Sequence, residues 1–402
     1  MKKIITLLLC FTGMISAFAQ YPSCDGNRYH TYVFPAYDSV VNVQYGHNFT
    51  MGGVSQNLIM DIYSPHGDVA TKRPMILFIH GGAFVGGSRQ DMRTICLLYA
   101  LQGYVTATID YRLIDVAVTD SIGITTGMVQ ATSDAKAALR YFTQDAATAN
   151  LYKVDTNFIF LAGMSAGAIT SEHVAYMDAT DNIPPYLLTI INNNGGFKGN
   201  SSTNTAHTTP IKAVLSYSGA LWKKEFISAG EPALYSFHDL GDTVVPCGHA
   251  HSSLFPSAVY MDGGCALQPE ATSKGIYNEL YIHYSSGHGD YLYYPPLDTV
   301  LQKTSNFLYT IICNNLLSVN SLEKEESSLQ LYPNPATEKI AIAITGNNRK
   351  KEKIRIFNSM GMLVKEMEIS ETAEINISGL SSGLYFVQRE SDVKQMMKFI
   401  KQ

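Results

Sequence analysis

The chain has 402 residues, of which 46% are hydrophobic and 16% are charged, a composition typical of a globular protein with a large buried core. Its length allows about two or three domains. The formal net charge of −5 leaves no basic surplus for binding nucleic acid. After the first residues, no segment approaches the run of about 20 apolar residues that a membrane-spanning helix needs.

Residues 1–19 predict a secretory signal peptide. Lys2 and Lys3 precede an apolar stretch, and Ala17-Phe18-Ala19 has the small-x-small pattern of a cleavage site. A membrane anchor is the alternative, but the apolar run is short for one. We therefore expect the protein to be secreted or attached to the cell surface, where disulfides can persist.

The cysteines after this segment predict at least one disulfide. Cys247 and Cys265 flank a loop rich in Pro, Gly and His and form the favoured pair. Cys24 could pair with Cys96 or with Cys313. Because five cysteines remain, at least one thiol is expected to be free.

Apolar runs alternate with helical patterns through most of the chain. The expected strands are MILFIH, YVTATID, NFIFLAG, KAVLSYSG, ALYSFHD and ELYIHY, and the clearest helices cover 133–147 and 298–317. NLIMDIYSP, which comes first, is expected to be an antiparallel edge strand. Fully apolar strands separated by helices predict an α/β fold with a mostly parallel central sheet covered on both faces.

A serine between two glycines follows the NFIFLAG strand and precedes a helical segment. This stretch, Gly163-Met164-Ser165-Ala166-Gly167, matches the nucleophile elbow, in which small neighbours allow a sharp turn that exposes the serine. The new helix would also direct its free amides at the reaction centre. Tight packing of the turn is the alternative explanation.

A second glycine-rich segment, FIHGGAFVGGS, follows the MILFIH strand. Glycines there would let backbone amides face a developing oxyanion, and the expected donors are the amides of Gly82, Ala83 and Ala166. A loop used only for turning is the alternative. A phosphate-binding loop is excluded, because no Gly-Lys-Ser/Thr ending or GxGxxG pattern is present.

A serine nucleophile needs a histidine base and an acid that orients it. Asp242, in the loop after ALYSFHD, is preferred as the acid over Asp239. His288, between two glycines, is preferred as the base over His283, which we expect to be a core histidine. Asp290 is a weaker alternative partner for His288, because it is only two residues away.

Other expectations concern the surroundings of this site. Four residues are candidates for the substrate pocket, namely Phe84, Met164, Trp222 and Tyr291. A lid, if one exists, is expected from the loop-rich segment 179–210. Neither a cofactor nor a metal is expected, because HExxH is absent and the His249-Ala250-His251 pair has no second cluster at ligand spacing.

Taken together, residues 40–315 resemble the α/β-hydrolase superfamily, in particular carboxylesterases with an HGG-type oxyanion loop. The matching segments are LIMDIYSP, RPMILFIHGGAFVGGS, LQGYVTATIDYRL, FIFLAGMSAGAIT and GDTVVP. The resemblance implies ester hydrolysis through an acyl-enzyme, with Ser165 as nucleophile, His288 as base and Asp242 as orienting acid. The chain departs from the pattern at Ala83 and Met164, where these esterases often have glycine and an acidic residue.

Charged residues become denser after about residue 320, and the pattern changes to short alternating strands typical of a small β-sandwich. LYPNPATEKI, IRIFNSMGMLV and ISGLSSGLYFV resemble the C-terminal sorting domain of type IX secretion cargo in Bacteroidota. The resemblance implies outer-membrane secretion machinery as a partner. An accessory, carbohydrate-binding sandwich is the alternative.

The predicted organisation is therefore a signal peptide (1–19), a catalytic domain (20–318), a linker (319–328) and a sorting domain (329–402). The expected function is a secreted serine esterase that acts on small or polymeric esters. Its substrates would be acetyl or feruloyl groups of polysaccharides, or polyester or lipid esters. A catalytically silent binding protein and a serine peptidase of the same superfamily are the alternatives.

Overall fold

The computed structural model describes residues 24–118, 120–253, 260–293, 296–313, 328–345, 351–359, 361–369, 372–389 and 396–402. The predicted signal peptide and nearly all of the predicted linker lie outside these residues. The chain separates into two compact units, Met1–Leu317 and Ser318–Gln402.

The first unit is built on an eight-stranded sheet. Its strands are β1 (Tyr37–Phe49), β2 (Ser55–Pro65), β3 (Arg73–Ile79), β4 (Val105–Ile109), β5 (Val154–Met164), β6 (Ala213–Tyr217), β8 (Ala233–Asp239) and β11 (Asn278–His283). A separate three-stranded sheet contains β7 (Ala220–Leu221), β9 (His249–Ala250) and β10 (Met261–Gly263).

The strand order in the large sheet is β1-β2-β4-β3-β5-β6-β8-β11. The β1–β2 and β2–β4 pairs are antiparallel, and every later pair is parallel. The expected α/β fold with a mostly parallel sheet is confirmed. The prediction that NLIMDIYSP is an edge strand is wrong, because β1, which the sequence pattern did not reveal, pairs along its outer side.

Six helices connect or flank these strands. They are α1 (Arg93–Leu101), α2 (Ser121–Ala147), α3 (Ala166–Tyr176), α4 (Pro185–Asn193), α5 (Gly264–Ser273) and α6 (Pro296–Cys313). Helix α2 begins twelve residues before the predicted start at 133, since Asp120 caps it by accepting a hydrogen bond from the Gly123 amide at 3.0 Å. The last residues of the predicted helix 298–317 lie outside the described residues.

The alternation of side chains along the strands divides the core into two layers. On β3, Met75, Leu77 and Ile79 pack in the layer that contains α2 and α3. Ile76 and Phe78 pack in the opposite layer, with α1 and α6. The sheet is therefore covered on both faces, which explains why residues pointing to either face of its central strands are buried and mostly apolar.

The order of the strands reverses at β3. The next strand in the chain, β4, lies on one side of β3, and the strand after that, β5, lies on the other side. In open α/β sheets, such a switch point opens a crevice at the carboxyl ends of the strands. The segments that begin at His80 and Met164 both enter this crevice, because Ile79 and Gly163 are paired in register.

The second unit contains two antiparallel sheets. Their strands are β12 (Ser328–Tyr332), β13 (Lys339–Thr345), β14 (Glu352–Asn358), β15 (Leu363–Ile369), β16 (Thr372–Asn376), β17 (Gly383–Arg389) and β18 (Met396–Lys401). The orders are β12-β13-β16 and β15-β14-β17-β18, and residues such as Ile340, Ile356 and Phe399 form a common core. The predicted all-β architecture of this region is confirmed.

Candidate active site

Ser165 lies on a strained turn between β5 and α3. Its backbone angles are φ 55° and ψ −120°, a conformation that non-glycine residues rarely adopt. The Ser165 amide donates to the Tyr217 carbonyl at 2.8 Å, which ties the turn to the next strand. The side chain lies at the base of a pocket and is 9% exposed.

The glycines around Ser165 are required by close backbone contacts. A Cβ on Gly163 would lie 2.2 Å from the Gly167 carbonyl oxygen, and a Cβ on Gly167 would lie 2.0 Å from the Ile79 carbonyl oxygen. Side chains at these two positions would push α3 away from β5 and from β3. The glycine spacing in the sequence therefore reflects contacts that set the position of Ser165.

The loop after β3 has an unusual backbone that contacts the serine turn. Gly82, Ala83 and Phe84 all have positive φ, at 110°, 53° and 64°. The Gly82 carbonyl accepts hydrogen bonds from the Val85 and Gly86 amides at 2.9 and 3.0 Å. A Cβ on Gly81 would lie 3.3 Å from the Ser165 Cβ, so the loop lies directly beside the serine.

His80 fixes the start of this loop and does not take part in the pocket. Its ring stacks on Tyr111 with centroids 4.3 Å apart, and the Tyr111 hydroxyl donates to the His80 carbonyl at 3.1 Å. Burial lowers the pKa of His80, so its imidazole is neutral at pH 7. Ala83 and Ala166 line the pocket that contains Ser165, whereas Gly82 lines a second cavity on the other side of the loop.

Asp242 and His288 form a close pair. Nδ1 of His288 lies 2.6 Å from Oδ2 of Asp242, and Oδ1 of Asp242 accepts hydrogen bonds from the Val244 and Val245 amides at 2.8 and 3.0 Å. The aspartate is therefore buried as a fully hydrogen-bonded carboxylate. Val244 and Val245 also line the pocket that contains Ser165, so the pair lies at the wall of that pocket.

The second ring nitrogen of His288 makes no hydrogen bond to any described residue and is available to accept a proton. Its Nε2 atom is buried and has no hydrogen-bond partner among the described residues. Asp242 accepts the proton on Nδ1, which leaves the lone pair on Nε2. A buried ring nitrogen without a described partner, in a ring that a carboxylate holds from its other side, makes His288 a candidate general base.

Sequence reasoning missed His238, which lies behind this pair. The residue is fully buried on β8, and its Nε2 donates to the Val245 carbonyl at 2.8 Å while lying 3.8 Å from Oδ2 of Asp242. Burial lowers the pKa of His238, so it supports the loop as a neutral ring. Every residue of β8 is buried, so the sequence pattern around His238 does not distinguish it from its neighbours or indicate its contact with Asp242.

The residues weighed as alternatives form contacts of their own. Asp239 pairs with His283, whose Nδ1 lies 2.6 Å from Oδ1 of the aspartate. The expectation that His283 is a core histidine is wrong, because its side chain is 27% exposed. The Asp290 carboxylate accepts a hydrogen bond from the Ser285 hydroxyl.

The pocket above Ser165 is small and mostly apolar, with a volume of about 40 Å³. Phe84 and Trp222, two of the predicted pocket residues, contribute to its walls. His173 supports Trp222, since the Trp222 amide donates to its Nε2 at 3.3 Å. Burial lowers the pKa of His173 to about 4, so the ring stays neutral and can accept this hydrogen bond.

Met164 and Tyr291 do not line the pocket that contains Ser165. Tyr291 is completely buried, and its hydroxyl contacts the Ser218 hydroxyl at 2.8 Å and the Phe237 carbonyl at 2.9 Å. Met164 points into the layer of α1 and α6, since it precedes Ser165 by one residue and therefore leaves the strand on the opposite face. The pocket predictions for these two residues are wrong.

Met164 lines a second, larger cavity of about 440 Å³. Its walls are mainly apolar side chains from α1, α6 and the segment before α6, together with the backbone of Gly81 and Gly82. The two cavities thus lie on either side of the 81–83 backbone and the Met164-Ser165 step.

The segment 179–210 covers neither cavity, because none of the residues lining them belongs to it. It contains helix α4 and packs on α2 instead. Lys136 donates to the Phe197 carbonyl at 2.9 Å, and Arg140 donates to the Lys198 carbonyl at 2.8 Å. The expectation of a lid from this segment does not agree with the structure.

Two disulfides stabilise this unit. Cys247 is bonded to Cys265, beside the pocket, and Cys24 is bonded to Cys313. Cys96 is free and buried in α1. Within the described residues, no group of three or more His, Cys, Asp or Glu side chains is arranged to hold a metal ion. His249 instead pairs with Asp262 at 2.7 Å.

A mostly parallel sheet with a strained serine at the end of β5 and an Asp–His pair after β8 and β11 defines the α/β-hydrolase class. Comparison with protein-family models gives a match for two parts of the chain. Residues 60–231 match the BD-FAE family, and residues 330–402 match the secretion system C-terminal sorting domain. The protein thus contains a BD-FAE domain, an esterase domain of the α/β-hydrolase type, followed by a type IX sorting domain.

Solved structures of esterase 2 from the planctomycete Thermogutta terrifontis are also similar. The paraoxon-phosphorylated form is 20% identical with a TM-score of 0.49, and the match covers 69% of this chain and 95% of that one. The propionate-bound form is 20% identical with a TM-score of 0.48 and the same coverage. No curated protein gave a significant match.

The two family matches indicate an esterase-type hydrolase domain with a secretion-sorting tail, and the tail indicates a secreted or cell-surface location. Among the described residues, no helix has both the length and the apolar character needed to cross a bilayer.

Proposed function

We propose that the protein is a serine carboxylic-ester hydrolase that acts through an acyl-enzyme, with Ser165 as nucleophile, His288 as base and Asp242 as orienting acid. The observation that carries the proposal is the buried, unpartnered Nε2 of His288, whose ring is held by Asp242 at 2.6 Å beside the pocket of Ser165. A histidine held in this way has its accepting nitrogen free for one task, which is proton transfer.

In the first half of the reaction, His288 takes the hydroxyl proton of Ser165 as the serine oxygen bonds to the ester carbonyl carbon. The amides of Ala83 and Ala166, together with that of Gly82, are proposed to stabilise the oxyanion. The tetrahedral intermediate then breaks its bond to the alcohol oxygen. His288 gives its proton to the departing alkoxide, and an acyl group remains on Ser165.

In the second half, His288 removes a proton from water as the water oxygen bonds to the acyl carbon. The bond to Ser165 breaks, the serine oxygen recovers its proton from His288, and a carboxylic acid leaves. Apart from the ester and one water molecule, these steps use side chains and amides of this chain.

The size of the pocket supports a substrate with a short acyl group. The space above Ser165 that is open to the centre of a water-sized group is only about 40 Å³, which suits an acetyl group better than a long chain. The 440 Å³ cavity lies on the other side of the 81–83 backbone, so no part of the substrate is assigned to it. Acetyl esters, including polysaccharide acetyl groups, are therefore proposed ahead of feruloyl, polyester and long-chain lipid esters.

Initial rates with the purified protein and its Ser165→Ala variant test this function. The panel contains p-nitrophenyl acetate, butyrate and octanoate, methyl ferulate, acetylated xylan and a peptide p-nitroanilide. We expect acetate to be preferred and the variant to lose activity by at least about 1,000-fold. Equal rates in both proteins would contradict the role of Ser165. An inert but folded protein that fails to react with an organophosphonate would favour a silent binding protein, and anilide cleavage would favour a peptidase.

A further inference from the structure

Asp239 has three hydrogen-bond donors around one fully buried carboxylate. Oδ1 lies 2.6 Å from Nδ1 of His283, and Oδ2 accepts from the Gly289 and Asp290 amides at 2.6 and 2.9 Å. The side chain is 0% exposed, so water does not compete for these contacts. Charge-assisted hydrogen bonds of this kind are about twice as strong as neutral ones.

The two amides that Asp239 accepts are those directly after His288. Gly289 has φ 82°, and a Cβ there would lie 2.5 Å from Cε of Met164, so the backbone at this point is pressed against the residue before Ser165. Two further backbone hydrogen bonds join the segments, from Leu240 to the His283 carbonyl at 2.9 Å and from Gly241 to the Ser285 carbonyl at 2.8 Å.

We propose that Asp239 is a positioning residue that fixes the backbone of His288 and thereby aims its Nε2 at Ser165. The proposal rests on the function proposed above for His288. Asp242 fixes the tilt of the imidazole through Nδ1, but a single contact to a ring does not fix where the Cα atom lies. Asp239 supplies the second anchor, through the chain that follows the histidine.

Loss of this anchor would leave two buried amides without an acceptor, and the loop would have to shift until water or another group satisfied them. A displacement of about 1 Å at a catalytic group can cost about 100-fold in rate. The ring and its Asp242 partner would remain intact, so the loss would fall on kcat.

The test compares Asp239→Asn with Asp239→Ala. In the asparagine variant, the side-chain oxygen can accept both amides while its NH2 group donates to Nδ1 of neutral His283. We expect kcat for p-nitrophenyl acetate to fall by no more than about threefold in this variant. We expect a fall of about 50- to 100-fold in the alanine variant, with KM changed less than about threefold.

Several readouts separate positioning from general loss of structure. Rates are normalised to the fraction of Ser165 that a phosphonate labels at completion, so unfolded protein is not counted. The pH dependence of kcat/KM should keep the wild-type shape, because the base and its acid are unchanged. His283→Asn, which retains an N–H donor near the Nδ1 position, is the matched control and should stay within about twofold of wild type.

Wild-type kcat in folded Asp239→Ala would overturn the proposal. A fall of about 1,000-fold in Asp239→Asn, with little effect of Asp242→Asn, would also overturn it and would make Asp239 the orienting acid. Should Asp239→Ala fail to fold, Asp239→Ser takes its place. Its hydroxyl can accept a hydrogen bond from one amide. The kcat of this variant should therefore lie between the value for Asp239→Asn and the value expected when both amide contacts are lost. Activity that persists in Ser165→Ala would instead show that the proposed function itself is wrong.

Discussion

Replacing the buried acid Glu172 with glutamine should stabilise the catalytic unit at neutral pH and flatten the pH dependence of its stability. Glu172 lies on α3, the helix that begins at Ser165, and is 0% exposed. Burial raises the pKa of its carboxyl group from 4.5 to about 8. The Ser216 hydroxyl opposes this rise but makes no well-formed hydrogen bond with the carboxyl group.

The sign follows from proton binding in the two states. Below pH 4.5 the carboxyl group is protonated in both the folded and the unfolded chain. Between pH 4.5 and about 8 it ionises in the unfolded chain but stays protonated in the folded chain, so the free energy of unfolding falls as pH rises. From the 3.5-unit difference between these values, the contribution of Glu172 falls by about 3 kcal/mol between pH 5 and pH 8.

The assay is urea denaturation from pH 5 to pH 9, followed by tryptophan fluorescence. The chain has one tryptophan, Trp222, which is 7% exposed, so the signal reports on the catalytic unit alone. Glu172→Gln lacks the ionisable group and should be more stable than wild type by about 4 kcal/mol at pH 8 and by about 1 kcal/mol at pH 5. The exposed Glu225→Gln variant controls for the loss of one negative charge.

A stability difference between wild type and Glu172→Gln that stays constant across this pH range would refute the reasoning. It would mean that the folded carboxyl group ionises over the same range as the unfolded one. A less stable glutamine variant at pH 8 would show that the amide cannot be accommodated beside Ser216.

Two further substitutions test the packing of the site. Gly167→Ala should destabilise the protein by about 1–3 kcal/mol and reduce activity, because its Cβ would lie 2.0 Å from the Ile79 carbonyl oxygen; Gly248→Ala, where no atom lies within 4 Å, is the control, and equal melting temperatures would contradict the argument. Ile124→Ala should enlarge the pocket above Ser165 and raise the butyrate-to-acetate ratio of kcat/KM about tenfold. Ile122→Ala, which is exposed on the same helix, should leave that ratio unchanged, and an unchanged ratio in both variants would show that Ile124 does not limit the acyl chain.

Features that depend on a residue and its near neighbours were predictable from the sequence. The glycines around Ser165 mark a turn in which backbone passes within about 2 Å of where a Cβ would lie, and only glycine permits this. The central strands were found because parallel strands buried on both faces are mostly apolar along their length. The preference for Asp242 and His288 followed from their places in loops after strands, and the structure brings these two side chains together.

Features that depend on distant segments were decided by tertiary structure. Met164 and Tyr291 are close to the site in sequence, but strand alternation and burial direct both away from the pocket. The pairing of β1 with β2 and the packing of 179–210 on α2 depend on partners far along the chain.

Asp239 was predicted only as a weaker candidate for the orienting acid. Its contacts with the amides after His288 form only because β8 and β11 are adjacent, so that residues about 50 positions apart share one buried site. The local sequence determines which backbone conformations each segment can adopt. Which residues meet across the sheet depends instead on which strands pair.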